Sequence, residues 1–286
     1  MYNYLTDAAL DALIDAALAE DLGPDHLDHT SYATLTASQI GEAHCLMKES
    51  GRVAGIRFAQ RVYQKMDGVR VDVQKMDGEQ VQPGDILFRA AGSVRSLLMG
   101  ERLVLNVLQR MSGIATQTHR VVQALEGTGC RVLDTRKTTP LIRTLEKWAV
   151  VIGGGVNHRY GLFDMILIKD NHIDACGGIQ PALAHARAYL LAKGLTLDVE
   201  IETRSLEEVQ QVLDAGGADR ILLDNMPLHT LRQAVARIGG RIPTEASGGI
   251  TPENARSYAE TGVDFISMGA LTHSVKSLDI SLKIRC

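Results

Sequence analysis

The chain has 286 residues, 45% of them apolar and 22% charged, with a formal net charge of −4. That length accommodates one large α/β barrel or two modest domains with full cores. The slightly acidic balance argues against a general nucleic-acid binder, and no run of roughly eighteen apolar residues predicts a membrane span.

The first twenty residues carry Asp7, Asp11, Asp15 and Glu20 and lack a basic start, so they do not read as a signal peptide. Residues 5–20 read as an amphipathic helix capped by Thr6 or Asp7. Leu10, Leu13, Ile14, Ala17 and Leu18 line one face, and Gly23-Pro24 ends it. Between 40 and 90, the apolar segments Ala43–Met47, Val69–Val73 and Ile86–Phe88 are broken by Asp67-Gly68, Asp77-Gly78 and Pro83-Gly84. This pattern predicts a small antiparallel sheet with a helix near Ile56–Met66. A second helix is expected over 94–111, where Arg102, Asn106 and Gln109 share a polar stripe. On pattern alone Arg102 is a solvated helix charge.

The second half has another rhythm. Short apolar segments end in polar or glycine residues and are followed by helical stretches. The segments are Arg131–Leu133, Met165–Ile168, Leu197–Ile201, Ile221–Leu223, Ile242–Ala246 and Phe265–Met268. The last four end at 202, 224, 247 and 269, spaced 22, 23 and 22 residues apart. Repeating βα units of that size predict parallel strands with right-handed crossovers, as a barrel or an open doubly wound sheet. In a barrel, function sits at the C-terminal strand ends, where these polar residues fall. The four cysteines, Cys45, Cys130, Cys176 and Cys286, are scattered. They predict reduced thiols in a cytoplasmic protein, with neither a disulfide framework nor a zinc site.

Three stretches form a positive island in this acidic background: Asp134–Pro140, Gly153–Arg159 and Lys169–His172. Arg136, Lys137, His158, Arg159 and Lys169 together suggest a pocket for a small polyanion. The glycine triplet before His158 suggests a loop packed under a ligand, and His158 itself is either structural or a ligand contact. Lys169 is open to three roles: ion pair, phosphate cation or Schiff-base amine. Ser247-Gly248-Gly249 leads into a helix expected to have Thr251 as N-cap and Pro252 at its first position. With Gly269 it reads as a barrel phosphate site, against the alternative of a plain tight turn. Glu202 and Asp224 suit Mg²⁺, sugar hydroxyls or an ion pair with the island. Glu200 and Glu202, either side of Ile201, are expected to point to opposite faces, leaving one in the lumen.

Assembled, these residues resemble the quinolinate phosphoribosyltransferase family, the nicotinate-nucleotide pyrophosphorylases of NAD biosynthesis. The most specific parts are Gly100-Glu101-Arg102 with Asn106, Leu133–Pro140, Gly153–Arg159, Leu167–His172, Leu223-Asp224-Asn225, Glu245–Gly249 and Ile266–Gly269. The resemblance implies an α/β protein of the type II phosphoribosyltransferase class. Residues 1–113 would form an α/β sandwich domain on which the tail 272–286 packs back, and residues 114–271 an irregular (β/α) barrel. It implies a homodimer in which Arg102 reaches the partner's site. Arg102, Arg136, His158, Arg159 and Lys169 would bind the quinolinate carboxylates. Thr135 belongs to the same substrate-binding loop. Lys137, Lys169, Glu202, Asp224, Ser247, Gly248, Gly249 and Gly269 would hold 5-phosphoribosyl-1-diphosphate with its magnesium, which Glu202 and Asp224 reach indirectly. Lys137, Lys169, Glu202 and Asp224 would act in catalysis. Two departures stand out: Leu141 replaces the usual glycine after Pro140, and Gly216-Gly217 looks like a one-residue insertion. The alternatives are a paralogue with another anionic acceptor and a Schiff-base lyase using Lys169.

Overall fold

The structure, a computed structural model, describes residues 4–66 and 68–285. Asp67 of the expected Asp67-Gly68 turn and Cys286 lie outside the described residues.

The elements run α1 (Asp7–Leu22), α2 (His29–Thr34), β1 (Ile40–Met47), β2 (Gly51–Arg52), α3 (Ile56–Gln64), β3 (Arg70–Val73), β4 (Gln80–Val81), β5 (Ile86–Ser93) and α4 (Val94–Ala124). There follow β6 (Arg131–Leu133), α5 (Arg143–Ile152), β7 (Ile166–Ile168), α6 (Asp170–Cys176), α7 (Ile179–Lys193), β8 (Val199–Thr203), α8 (Leu206–Ala215) and β9 (Arg220–Asp224). The chain ends with α9 (Leu228–Ile238), β10 (Thr244–Ser247), α10 (Ala255–Ala259), β11 (Phe265–Ser267), α11 (Ala270–His273) and β12 (Ile280–Arg285).

The Thr6 hydroxyl caps α1 by accepting the Ala9 amide, and Gly23 ends it at φ 66°. Leu10 and Ile14 are buried, while Asp7, Asp11 and Asp15 recur at helical spacing and pair with Arg57, Arg61 and Lys65 of the neighbouring segment. Exposed pairs of this kind fix register more than they add stability. Behind α3 lies an antiparallel sheet of order β12-β1-β5-β3. Alternate residues Ala43, Cys45 and Met47 of β1 point into the core, and Tyr63 of α3 packs edge-on against Phe88 of β5 at 6.1 Å. The tail contributes β12, which pairs with β1 from Glu42↔Arg285 to Met47↔Ile280.

Helix α4 has 31 residues and runs well beyond the expected end at 111. The expected boundary between 113 and 114 therefore falls inside a continuous helix. Gly113 does not break it. A Cβ there would lie 2.3 Å from the Lys276 carbonyl, so the missing side chain lets the returning tail cross the helix. Gln109 of the expected polar stripe donates to the Ile280 carbonyl at 2.8 Å, while Arg102 and Asn106 stay exposed.

The second half folds as a six-stranded parallel sheet of order β6-β11-β10-β9-β8-β7. Among the described residues no ladder joins β7 back to β6; a single parallel bridge, Leu133↔Val156, stands in the gap. This is the irregularity of the barrel. Three expectations change. Strand β8 extends through Glu202 to Thr203, and β11 stops at Ser267. Helix α10 begins at Ala255, with Asn254 rather than Thr251 as its N-cap, and has only five residues, so the Gly248-Gly249 loop is not a helix N-terminus. Glu200 and Glu202 do not point to opposite faces. Residues two apart on a strand share one face, and both of these are buried inward.

Replacing Gly113 by alanine drives a methyl group into the Lys276 carbonyl. Urea unfolding of Gly113→Ala is expected to show a loss of about 1–3 kcal/mol relative to the wild type.

Candidate active site

At the C-terminal ends of the parallel strands lies a cavity of about 1250 Å³. It is lined by Thr135, Arg136, Lys137, His158, Arg159, Lys169, Glu202, Asp224, Ser247, Gly248, Gly249 and Gly269. Every site residue expected from the sequence is therefore in its wall except Arg102, which projects from α4 elsewhere on the surface.

The wall is built from β6 outward. Asp134, wholly buried, follows Leu133 and receives three donors: the Lys147 ammonium, the Asn157 side-chain amide and the His158 backbone N–H at 2.9 Å. Lys147 is equally buried and also donates to the His158 carbonyl at 3.0 Å. Burial pushes the Asp134 carboxyl up and the Lys147 ammonium down, and each charge pulls the other back. The pair thus fastens residues 156–159 where the barrel lacks a strand.

The loop after Asp134 is clasped from behind. Thr135 Oγ1 accepts the Lys137 N–H at 3.0 Å. Glu146, fully buried, accepts from the Thr139 amide (3.0 Å) and hydroxyl (2.9 Å) and from Arg110 (2.8 Å). Leu141 sits at φ 68° and is 95% exposed, so the leucine keeps the left-handed backbone that suits glycine. Gly269 makes room for the Lys137 stem, whose Cδ would lie 2.8 Å from a Cβ there.

The glycine triplet has a different reason from the one expected. A Cβ on Gly153 would lie 2.5 Å from the Ala115 carbonyl, and one on Gly155 would lie 2.8 Å from Thr118. The triplet packs against α4 and is not part of the cavity wall. Arg159 is lowered from its ordinary value by burial and then by the charge of Arg136. His158 turns Nε2 downward, 2.9 Å from Glu200 and 3.4 Å from Glu245, while Nδ1 accepts the Arg159 N–H at 2.7 Å. Both of its ring nitrogens are engaged by the protein.

On the adjoining strands, register sets Ser247 beside Asp224, and the serine hydroxyl donates to that carboxylate at 2.5 Å. Burial raises Glu202, Asp224 adds to the effect, and Lys169 opposes it. Gly248, at φ 95°, passes so close to Asn225 that a Cβ would lie 2.0 Å from its Oδ1. Asn225 itself takes the left-handed conformation, φ 53°. Gln117, Arg120, Asn225, Ser267, His273 and Ser274 also line the cavity and were not singled out as site residues. Gln117 and Arg120, three apart on one face, arrive only because α4 continues to 124. A helix ended at 111 gives no sign of them.

The fold and this wall define a parallel barrel whose mouth is lined by Arg136, Lys137, Arg159 and Lys169, joined through α4 and β12 to an antiparallel sheet. The chain belongs to the quinolinate phosphoribosyl transferase family: the family's N-terminal domain matches residues 28–112 and its C-terminal domain residues 114–283. It is 48% identical to the chloroplastic nicotinate-nucleotide pyrophosphorylase (carboxylating) of Arabidopsis thaliana, over 96% of this chain and 82% of that protein. It is 46% identical to quinolinate phosphoribosyltransferase (decarboxylating) 1 of Nicotiana glauca, over the same shares of 96% and 82%. The crystal structure of NadC from Streptococcus pyogenes superposes with a TM-score of 0.92 at 41% identity, covering 98% of each chain.

Because Asp134 and Lys147 neutralise each other out of water, removing either leaves an unpaired buried charge. Asp134→Asn and Lys147→Met are each expected to lose about 3–5 kcal/mol in denaturant unfolding. The double variant should lose less than the sum of the two. Additive losses would show that the two side chains are not coupled.

Proposed function

We propose that the protein transfers the phosphoribosyl group of 5-phosphoribosyl-1-diphosphate to the ring nitrogen of quinolinate. Diphosphate and CO₂ leave, and nicotinate mononucleotide is formed for de novo NAD biosynthesis. The observation that carries this reading is one cavity lined by Arg136, Lys137, Arg159 and Lys169 together with the glycine loop 248–249 and the carboxylates Glu202 and Asp224. A dianionic ring acid and a sugar diphosphate repel each other, and fixed cations between them offset that repulsion.

In this reading Arg136, Arg159 and Lys169 bind the ring carboxylates. Thr135 and Lys137, with the backbone amides of Gly248, Gly249 and Gly269, bind the phosphates, and the Ser247 hydroxyl holds Asp224 in place beside them. Glu202 and Asp224 face the ribosyl ring. The pyridine nitrogen attacks the anomeric carbon as the carbon–diphosphate bond breaks. Lys137 and Lys169 stabilise charge on the departing oxygen, and Glu202 and Asp224 stabilise the positive charge that builds on the sugar. Ribosylation leaves the ring nitrogen cationic, so the adjacent carboxylate leaves as CO₂ with its bonding pair held beside that cation; a proton then fills the vacated ring carbon. Positioning supplies much of the acceleration.

Magnesium fits the same wall. Burial and then the Asp224 charge raise Glu202, while Lys169 and the Asp170 backbone N–H oppose them. Both would accept hydrogen bonds from water on a metal carried by the diphosphate. When bound, the ion would neutralise charge on the leaving group. Homodimerisation belongs to this proposal as well: Arg102 and Asn106 form an exposed polar face of α4, fit to supply a guanidinium to a partner's cavity. Free thiols at Cys45, Cys130 and Cys176 support a reducing, cytoplasmic setting.

Incubation with quinolinate, the ribosyl diphosphate and Mg²⁺ is expected to give nicotinate mononucleotide and CO₂ in equal amounts, with loss of turnover on chelation. Folded protein that makes no product would refute the reading. Arg102→Ala and Lys137→Ala are each expected to lose activity by about two orders of magnitude. Mixed subunits of the two should recover part of it, since one of the two cavities is then intact. No recovery despite verified subunit exchange would rule out a shared site.

A further inference from the structure

At the cavity floor four charged or titratable groups meet, His158 and Glu245 reaching the cavity, Glu200 wholly buried and the Arg220 side chain 19% exposed. Glu200 and Glu245 are 0% and 1% exposed, and His158 reaches down to both. Parallel pairing of β8 and β9 sets Arg220 beside Glu200, and its guanidinium lies 3.1 Å from Glu245 and 3.9 Å from Glu200. Arg220 is held there from the other side by the Phe265 ring, 4.6 Å from its guanidinium carbon. Both Glu200 oxygens otherwise lack a hydrogen-bond partner among the described residues. The histidine and the two carboxylates present ligand atoms within 4.8 Å of one another, a spacing that would admit a metal ion. The Arg220 guanidinium already occupies the cation's place, and a divalent ion beside it would meet direct repulsion.

Charge counting then constrains the floor. Two carboxylates and one guanidinium sum to −1 if the imidazole is neutral. An unbalanced buried charge is costly in itself. It is costlier still under an acceptor that brings two more negative charges. One further proton cancels it.

We propose that Glu200 and Glu245 are positioning residues that hold His158 as an imidazolium in the cavity floor, so that the floor carries no net charge when the dianionic acceptor binds. This rests on the reading of the cavity as the quinolinate site. The other charged groups around His158 do not replace them. Asp134 is neutralised by Lys147, which also donates to the His158 carbonyl, and Arg159 faces the cavity. Burial works against an imidazolium, but hydrogen bonds to Glu200 and Glu245 and then their charges outweigh it, raising His158 to about 9. The Arg159 N–H directed at Nδ1 favours a neutral ring. Two buried full charges outweigh one amide dipole, so that contact yields when the ring is charged. Burial would raise Glu245 too, yet His158, Ser267 and Arg220 together hold it below its ordinary value, whereas burial and then Glu245 raise Glu200. A raised histidine is charged below its folded value, so the neutral floor is lost as pH rises through about 9.

The test uses ¹⁵N-histidine-labelled full-length protein without substrate, with the His158 signal identified by its absence in His158→Asn. Near neutral pH the wild-type ring is expected to be an imidazolium, and in Glu200→Gln or Glu245→Gln a neutral ring. In parallel, the wild-type KM for quinolinate is expected to rise above about pH 9. In either variant that rise should begin at least about two pH units lower. A purely structural role would raise KM at every pH and leave the limb in place. A neutral ring in the wild type, an imidazolium retained in both variants, or an unmoved limb overturns the proposal. If one variant fails to fold, the other and the wild-type titration still decide. Absence of quinolinate turnover at any pH would strike the proposed function instead, and the ring titration would still report on the cluster.

Discussion

The cavity depends on the buried pair of Asp134 and Lys147. A parallel barrel needs hydrogen bonding around its whole circumference, and here β6 and β7 leave a gap. The segment carrying Asn157, His158 and Arg159 fills that gap with one bridge, Leu133↔Val156. The rest of its hold comes from the Asp134 carboxylate and Lys147, which together take up the Asn157 side chain and both backbone groups of His158. A buried ion pair gains little over apolar packing. What it supplies here is direction, because its hydrogen bonds set where His158 and Arg159 emerge.

From that anchor the wall assembles by register. Parallel pairing places Ser247 beside Asp224 and Arg220 beside Glu200, so one set of ladders forms both the mouth and the floor. Mouth and floor differ in exposure to water. Arg136, Lys137 and Lys169 are exposed and open to an anion, while Glu200 and Glu245 are buried, Glu245 reaching the cavity wall from below, and both are met by His158 and Arg220. The side of the barrel that receives negative charge thus stands above a layer that has to be neutral on its own.

The antiparallel sheet is tied to the barrel by α4 and by β12, which returns to β1 from the far end of the chain. Arg110 of α4 reaches Glu146, which holds the Thr139 end of the cavity loop. Gln117 and Arg120 of the same helix line the cavity. One rigid element therefore carries exposed Arg102 near its start and cavity residues near its end.

Much of this was legible along the chain. Apolar runs ending in polar residues marked the strands, and their C-terminal ends marked the cavity, because a βα repeat has a fixed length and polarity. The dense motifs around Arg136, Arg159 and Ser247 fall on those ends and line the cavity. Local pattern erred where a residue's reason lay far off in sequence. Gly153 and Gly155 resembled a ligand loop but make room for α4, and nothing near Gly113 in the sequence shows that the returning tail crosses there. Strand pairing and close packing of distant segments, which no local period encodes, decided that Glu200 and Glu245 meet around His158, how far α4 runs, and that β12 closes against β1.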